Sequence, residues 1–416
     1  MNRIEISQGV SLTSVETEKF STETISVTFL RPISSINPSF MAILPYVLLA
    51  GCEKYQNIEK ISQKLDFLYG AKIEPLIRKK GEFLCITFVC DVIDSKFAKD
   101  ENLLQNAFDL LLEILYKPLV INGSFDEKIV ENEKNNLINR INSLKNDKIR
   151  YANNRMYEIM CKNEPFGINQ LGTVESAEKI DKISLFENYN EIISNSIVEI
   201  FYCGSSDIRK LDFSKFKARK CKEIEQSSVK IIPKTTEVVE NMNISQGKLS
   251  MGFRTNITAS DENYPHLMLF NTIFGGSTSS KLFENVREAL SLCYYASSSV
   301  EKIKGVMCVN SGIEVENFEI AKKAILQQFT DIQDGNFTIN DINSAKLTLL
   351  NNLKTAKDSK YSLEDFYLGQ AICNNYGDID ELINKIDIVS KQQIIDASLE
   401  VKLDTIFFLK GDVNND

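Results

Sequence analysis

The chain is one unit of about 200 residues told twice, a period far above that of solenoid repeats, so the fold must be two similar bodies. Each half opens on a strand-like segment, residues 23–30 in the first and 247–253 in the second. A turn with proline follows, Asn37-Pro38 or Tyr264-Pro265, and then an apolar run ending in glycine, 40–51 or 266–276, long enough for a buried helix. A second helix-like stretch, 58–69 or 280–290, leads to a strand, 83–91 or 305–315. Amphipathic helices are predicted at 103–116 and 318–332, and a further helix begins after Asp126 and after Asp341. Both halves close on a strand running out at glycine, 197–204 and 403–412.

Strands in separated groups with several helices between them predict an α+β fold, each half a mostly antiparallel sheet with helices packed on one face. The segment 231–245 is polar, carries Pro233 and has no apolar period, so it reads as a linker between repeats at 1–230 and 246–416.

Composition narrows the function. With 43% hydrophobic and 25% charged residues the chain is an ordinary globular one. A formal charge of -9 argues against a general nucleic-acid binder. No apolar run approaches the roughly eighteen residues of a membrane span, so no membrane association is expected. The opening Met1-Asn2-Arg3-Ile4-Glu5-Ile6-Ser7 has no apolar leader core, which makes the expected location cytoplasmic. The nine cysteines are scattered, form no C-x-x-C pair and sit partly in apolar runs, as at 83–90; they read as core thiols in a reducing compartment.

The histidine count excludes most metal chemistry. His266 is the single histidine, so a zinc site with two or three His ligands cannot be built from this chain. His266 itself reads as a helix-start residue. The stretch Gly275-Gly276-Ser277-Thr278-Ser279-Ser280-Lys281 lacks phosphate-loop spacing and reads as a tight turn or peptide-binding loop. Arg78-Lys79-Lys80-Gly81 reads as a solvated hairpin turn, and no paired carboxylate motif marks acid–base work.

The duplicated layout resembles the insulinase/pitrilysin-type zinc metallopeptidases, which include the mitochondrial processing peptidase subunits, over nearly the whole chain. Gly275-Gly276-Ser277 through Leu282-Phe283 to Arg287-Glu288, followed by Leu292-Cys293-Tyr294, is similar to that family's C-terminal-half signature. Glu164-Pro165-Phe166-Gly167 through Leu171-Gly172-Thr173-Val174-Glu175 resembles a first-half motif. Aligned on residues 46–52, the family's His-x-x-Glu-His helix falls at 42–46: Ala42 and Tyr46 stand for the histidines and Pro45 for the general-base glutamate. The distal glutamate ligand falls within 133–141, at Arg140. Alanine cannot ligate, proline is no base, and arginine brings a fixed charge that repels a divalent ion.

The resemblance implies a second set. Arg287 and Tyr294, with Tyr295 as the other candidate tyrosine, match an Arg and a Tyr that reach the active site from the C-terminal half and stabilise charge on the scissile carbonyl. The expectation is therefore a non-catalytic subunit of a heterodimeric zinc peptidase, forming half of a peptide-binding chamber. Zinc would sit in a catalytically active partner with an intact motif, and none in this chain. The alternative is a peptide-binding or scaffold protein of the same fold with no role in proteolysis.

Overall fold

The computed structural model describes residues 1–98, 100, 102–219 and 234–411. Cys221, residues 231–233 of the expected linker and Asp412 lie outside them. The chain forms two compact units, neither continuous in sequence. One comprises Met1–Ser143, Ile168–Glu225 and Lys360–Ala371; the other comprises Leu144–Gly167, Gln226–Ser359 and Ile372–Asp416. The second-half segment 360–371 thus belongs to the first unit, and the first-half segment 144–167 to the second.

In chain order the first part of the sequence forms strands β1 (Asn2–Ser7), β2 (Val10–Glu16) and β3 (Thr22–Pro32), then helices α1 (Pro38–Leu49) and α2 (Ile58–Phe67). The hairpin β4 (Lys72–Lys80) and β5 (Phe83–Ile93) leads to α3 (Leu103–Tyr116). A short hairpin of β6 (Val120–Ile121) and β7 (Ser124–Phe125) precedes α4 (Glu127–Ser143), α5 (Lys148–Met160), α6 (Val174–Glu178), α7 (Lys182–Asn195) and β8 (Ile197–Gly204). The remainder forms β9 (Thr236–Asn241), β10 (Gly247–Arg254), α8 (Tyr264–Phe274), a π-helix (Leu282–Ala289), β11 (Cys293–Glu301) and β12 (Val306–Ile313). It ends with α9 (Phe318–Gln333), α10 (Ile339–Ala356), α11 (Lys360–Ile372), α12 (Ile379–Asp387), α13 (Lys391–Glu400) and β13 (Lys402–Lys410).

The first unit's sheet has the order β1-β2-β8-β3-β5-β4, antiparallel except for the parallel β2–β8 pair. The second has the order β11-β12-β10-β13-β9, antiparallel except for β13–β9. Read from the other end, the five strands of the second order match β2-β8-β3-β5-β4 of the first, with β9 in the place of β2 and no counterpart to β1. Residues 236–241 of the expected linker are therefore a strand of the second repeat. Its side chains are mostly exposed, so it carries no apolar alternation to betray it.

Helices cover the expected face of each sheet. In the first unit Ile25, Val27, Phe29, Ile86 and Phe88 join α1, α3 and α7 in one core. In the second, Leu249, Met251, Phe253 and Val309 join α8, α9 and α13. Each sheet also carries one helix on its other face, α11 in the first unit and α5 in the second. Met156 and Met160 of α5 pack on Val306, Cys308, Phe407 and Leu409, the alternate residues of β12 and β13. With both faces covered, the central strands are buried on both sides, which accounts for the largely apolar run at 83–90; the polar side chains they do bury are bonded within the sheet, as where Thr28 meets Thr87 at 2.8 Å.

Ion pairs fasten both of these helices. Beside α11, Arg78 donates to both Glu364 carboxylate oxygens at 2.6 and 2.7 Å, and Lys80 reaches Asp365 at 2.7 Å. At the start of α11, Lys360 reaches Asp91 at 2.7 Å. Arg78 and Lys80 are thus strand residues and not the solvated turn that the local sequence predicts; the turn is Gly81-Glu82, with Gly81 buried at φ 54°. Beyond α5, Glu164 accepts from Arg254 at 2.7 and 2.9 Å and from Lys304 at 2.5 Å, while Arg254 also donates to Asp404 at 2.9 Å.

Candidate functional site

Asn37 caps α1 by accepting from the Ser39 backbone N–H, and Pro38 takes the first-turn position where its missing donor costs nothing. Pro45 lies inside the helix, so the Met41 carbonyl loses its N–H partner four residues on. Residues 42, 45 and 46 thus lie on a helix that keeps its position through packing: Met41, Ala42, Ile43, Leu44, Val47 and Leu48 are buried. The first-half motif clamps its start. Ser39 Oγ donates to the Leu171 carbonyl at 3.1 Å and meets Ser176 Oγ at 2.5 Å.

Gly172 has φ +74°, and a Cβ there would stand 2.1 Å from Ser39 Oγ and 3.0 Å from Ser39 N. Gly172→Ala is expected to cost about 1–2 kcal/mol from the left-handed backbone and more from the clash. Urea unfolding followed by circular dichroism measures it; an unchanged midpoint would show the clamp to be dispensable.

Arg140 of α4 reaches across to α1. Its guanidinium carbon lies 4.2 Å from the Tyr46 ring centroid, and Nη2 donates to the Ala42 carbonyl at 3.3 Å. The fold thus brings Ala42, Tyr46 and Arg140 together, with Pro45 on the same helix. These residues do not fit a zinc ion: the cluster offers a methyl, a pyrrolidine ring, a phenol and a permanent cation. Among the described residues no group of three or more His, Cys, Asp or Glu side chains could hold a metal.

Arg287 and Tyr294 lie in the second unit. The expected helix at 280–290 is a π-helix over Leu282–Ala289, for which the sequence holds no signal. Wider π geometry recurs at functional sites. Arg287 stacks over Phe283 with its guanidinium carbon 4.6 Å from the ring centroid and pairs with Glu288 at 3.6 Å, its side chain 39% exposed. Lys281, paired with Asp341 at 3.0 Å, anchors the π-helix start to α10.

Tyr294 opens outward from β11 at 62% exposure, its hydroxyl donating to Glu314 Oε1 at 2.7 Å. That bond, followed by the nearby Glu314 charge, raises its pKa. A bulge falls between Cys293 and Tyr295, and Tyr295 lies against Gly312, where a Cβ would stand 2.5 Å from its ring.

Both sheets end on a partly capped edge strand. On β4 the Lys79 N–H points away from β5 to Gln170 Oε1 at 3.1 Å. By strand alternation Pro75 faces the same way, the position an edge strand tolerates. On β11 the Ser298 N–H donates to the Gly275 carbonyl at 2.9 Å. Gly275 is required there, since a Cβ would lie 2.7 Å from Ser298 N. The Gly-Gly turn is therefore a backbone cap on the β11 edge.

Other reactive groups are quiet. The eight described cysteines are all buried and free. Burial pushes the thiols of Cys85, Cys90 and Cys308 up to about 12, which removes them as nucleophiles. His266 sits in the first turn of α8, where burial lowers its pKa against the opposing pull of Asp396. No described helix is long and apolar enough to cross a membrane.

Comparison with known proteins agrees with this architecture. Residues 179–349 match the family described as the peptidase M16 inactive domain. A probable inactive metalloprotease of Bacillus subtilis strain 168, YmfF, is 36% identical over 411 residues, covering 97% of this chain and 96% of the relative. The chain belongs to the M16, insulinase-type peptidase family and within it to the inactive members. A conserved protein from Enterococcus faecalis V583 has a solved structure similar at a TM-score of 0.92, with 28% identity over 100% of this chain and 99% of that one. The peptidase M16 inactive domain from Pseudomonas fluorescens shares the fold at a TM-score of 0.79 and 17% identity, over 99% of both chains.

Proposed function

We propose that this chain is the non-catalytic subunit of a heterodimeric zinc peptidase, forming half of a peptide-binding chamber. One contrast carries the reading. The positions of the metal helix have become a set that no zinc ion fits, whereas Arg287 and Tyr294 keep side chains that reach solvent. A scaffold with no link to proteolysis has no use for that pair. The partner, an insulinase-family subunit with an intact zinc motif, would supply metal and activated water. Arg287 would hydrogen-bond the oxyanion forming on the scissile carbonyl, and Tyr294 would hold the peptide backbone. An extended peptide could add to the open stretch of β11 beside Tyr294, main chain to main chain. A cytoplasmic setting belongs to the same reading, since the free buried thiols suit a reducing compartment.

Affinity isolation of the chain from its own cells, with mass-spectrometric identification of stoichiometric partners, tests this. The expected result is a partner of similar length carrying His-x-x-Glu-His, and a complex that cleaves unfolded peptides and stops when zinc is chelated. Recovery of the chain alone, or only with unrelated proteins, overturns the subunit reading in favour of a peptide-binding or scaffold role.

A further inference from the structure

Arg140 is a cation without an anion. Its described contacts are the Tyr46 ring face and the Ala42 carbonyl, and its Nε is buried with no hydrogen-bond partner. Among the described residues no carboxylate forms an ion pair with it. The ion pairing, though not the unmet Nε, sets it apart from Arg3, matched by Glu199, Arg31, matched by Glu191, and Arg78, matched by Glu364. A half-buried guanidinium charge is met better by a charged acceptor than by a neutral carbonyl.

The surroundings restrict what that acceptor is. The guanidinium carbon lies 4.2 Å from the Tyr46 ring centroid, and the Ala42 carbonyl occupies one Nη2 hydrogen. Nε is itself buried, so what remains is the edge between Nη1 and Nη2, where two N–H donors can meet the two oxygens of a carboxylate. Tyr46 and Arg140 are each only half-buried, so the fork is reachable from solvent. Where related enzymes would hold a divalent cation, this chain holds an immobile monovalent one.

We infer that the degenerate metal site is a carboxylate seat, in which Arg140, oriented by Tyr46, binds a carboxylate carried by a peptide. That the carrier is a peptide rests on the chamber reading above. Two sources share this chemistry, a free C-terminal carboxylate and an acidic side chain.

The test uses the full-length protein and three fluorescent, N-terminally labelled peptides of otherwise equal neutral sequence, read by anisotropy. One ends in a free carboxylate, one in an amide, and one ends in an amide but contains a single glutamate. The expected result is at least tenfold tighter binding of one carboxylate-bearing peptide than of the neutral amide, the better of the two identifying the source. Arg140→Gln should abolish that discrimination, and Arg140→Lys should keep only part of it. Equal binding of all three by the wild-type protein overturns the seat while leaving peptide binding standing. No binding of any peptide overturns both. Because the wild-type comparison decides, a variant that fails to fold does not blunt the test. A discrimination that survives Arg140→Gln in a folded variant places the carboxylate elsewhere and also overturns the proposal.

Discussion

Glu164→Gln is expected to destabilise the second unit by about 3–5 kcal/mol, the cost of removing one partner from a buried ion cluster. Glu164, Arg254 and Lys304 have side chains 6%, 4% and 2% exposed, so water cannot replace a lost charge. With glutamine at 164, Arg254 keeps Asp404 and the Met160 carbonyl, but the buried Lys304–Glu164 ion pair is lost. The chain has no tryptophan, so urea unfolding followed by far-ultraviolet circular dichroism is the suitable measurement. A second replacement, Lys304→Met, should restore part of the loss because it removes the other charge of the broken ion pair. A drop below about 1 kcal/mol for the single variant would show that the cluster is solvated and not a fastening.

The same carboxylate predicts an acid dependence. Burial pushes the Glu164 pKa upward, but hydrogen bonds from Arg254 and Lys304 outweigh it and hold the group below its ordinary value. A folded pKa depressed in this way gives stability that is complete above the unfolded value of about 4.3 and is lost as pH falls through the folded value. Asp91 in the first unit acts in the same direction: burial raises its pKa, but bonds from Lys360, Thr24 and Tyr361 outweigh burial and hold it below the ordinary value. Wild-type stability should therefore fall as the pH drops below the ordinary carboxylate range, and Glu164→Gln should show a shallower fall.

Arg287→Ala is expected to lower the turnover of the reconstituted peptidase by about 10²–10³-fold without dissociating it, the size of effect seen when one oxyanion donor is removed. The side chain is poised rather than committed: its stack on Phe283 leaves the guanidinium partly open, and its contact with Glu288 is long at 3.6 Å. Arg287→Lys should recover only part of the rate, since an ammonium keeps the charge but not the planar fork. If Arg287 merely braced the π-helix, alanine would cost about 0.5–1 kcal/mol of stability and leave kcat unchanged. Parallel measurement of kcat, complex mass and unfolding midpoint separates the two roles.

Most of the secondary structure was legible because each helix and strand writes its own local period. The helix predicted at 103–116 is α3 residue for residue, and the strand at 83–91 extends only to Ile93. Errors fall where local pattern and long-range contact part company. Arg78 and Lys80 sit in a charged run beside a glycine, which locally means a turn, yet their partners Glu364 and Asp365 lie nearly three hundred positions away. Strand β9 is exposed on its edge and shows no alternation, so it passed for a linker. The π-helix differs from an α-helix by one residue in hydrogen-bond spacing, too small a change for an apolar period over eight residues to register.

The sequence by itself determined the duplication, the family and the inability of residues 42, 45, 46 and 140 to make a zinc site, because each rests on residue identity and order. Only the tertiary structure decided that α5 and α11 are exchanged between the two sequence halves, and that buried charges hold them there. It alone placed Arg140 on Tyr46 with no carboxylate paired to it among the described residues. Such facts depend on pairs of groups far apart in the chain whose energies are realised only once the backbone brings them within a few ångströms.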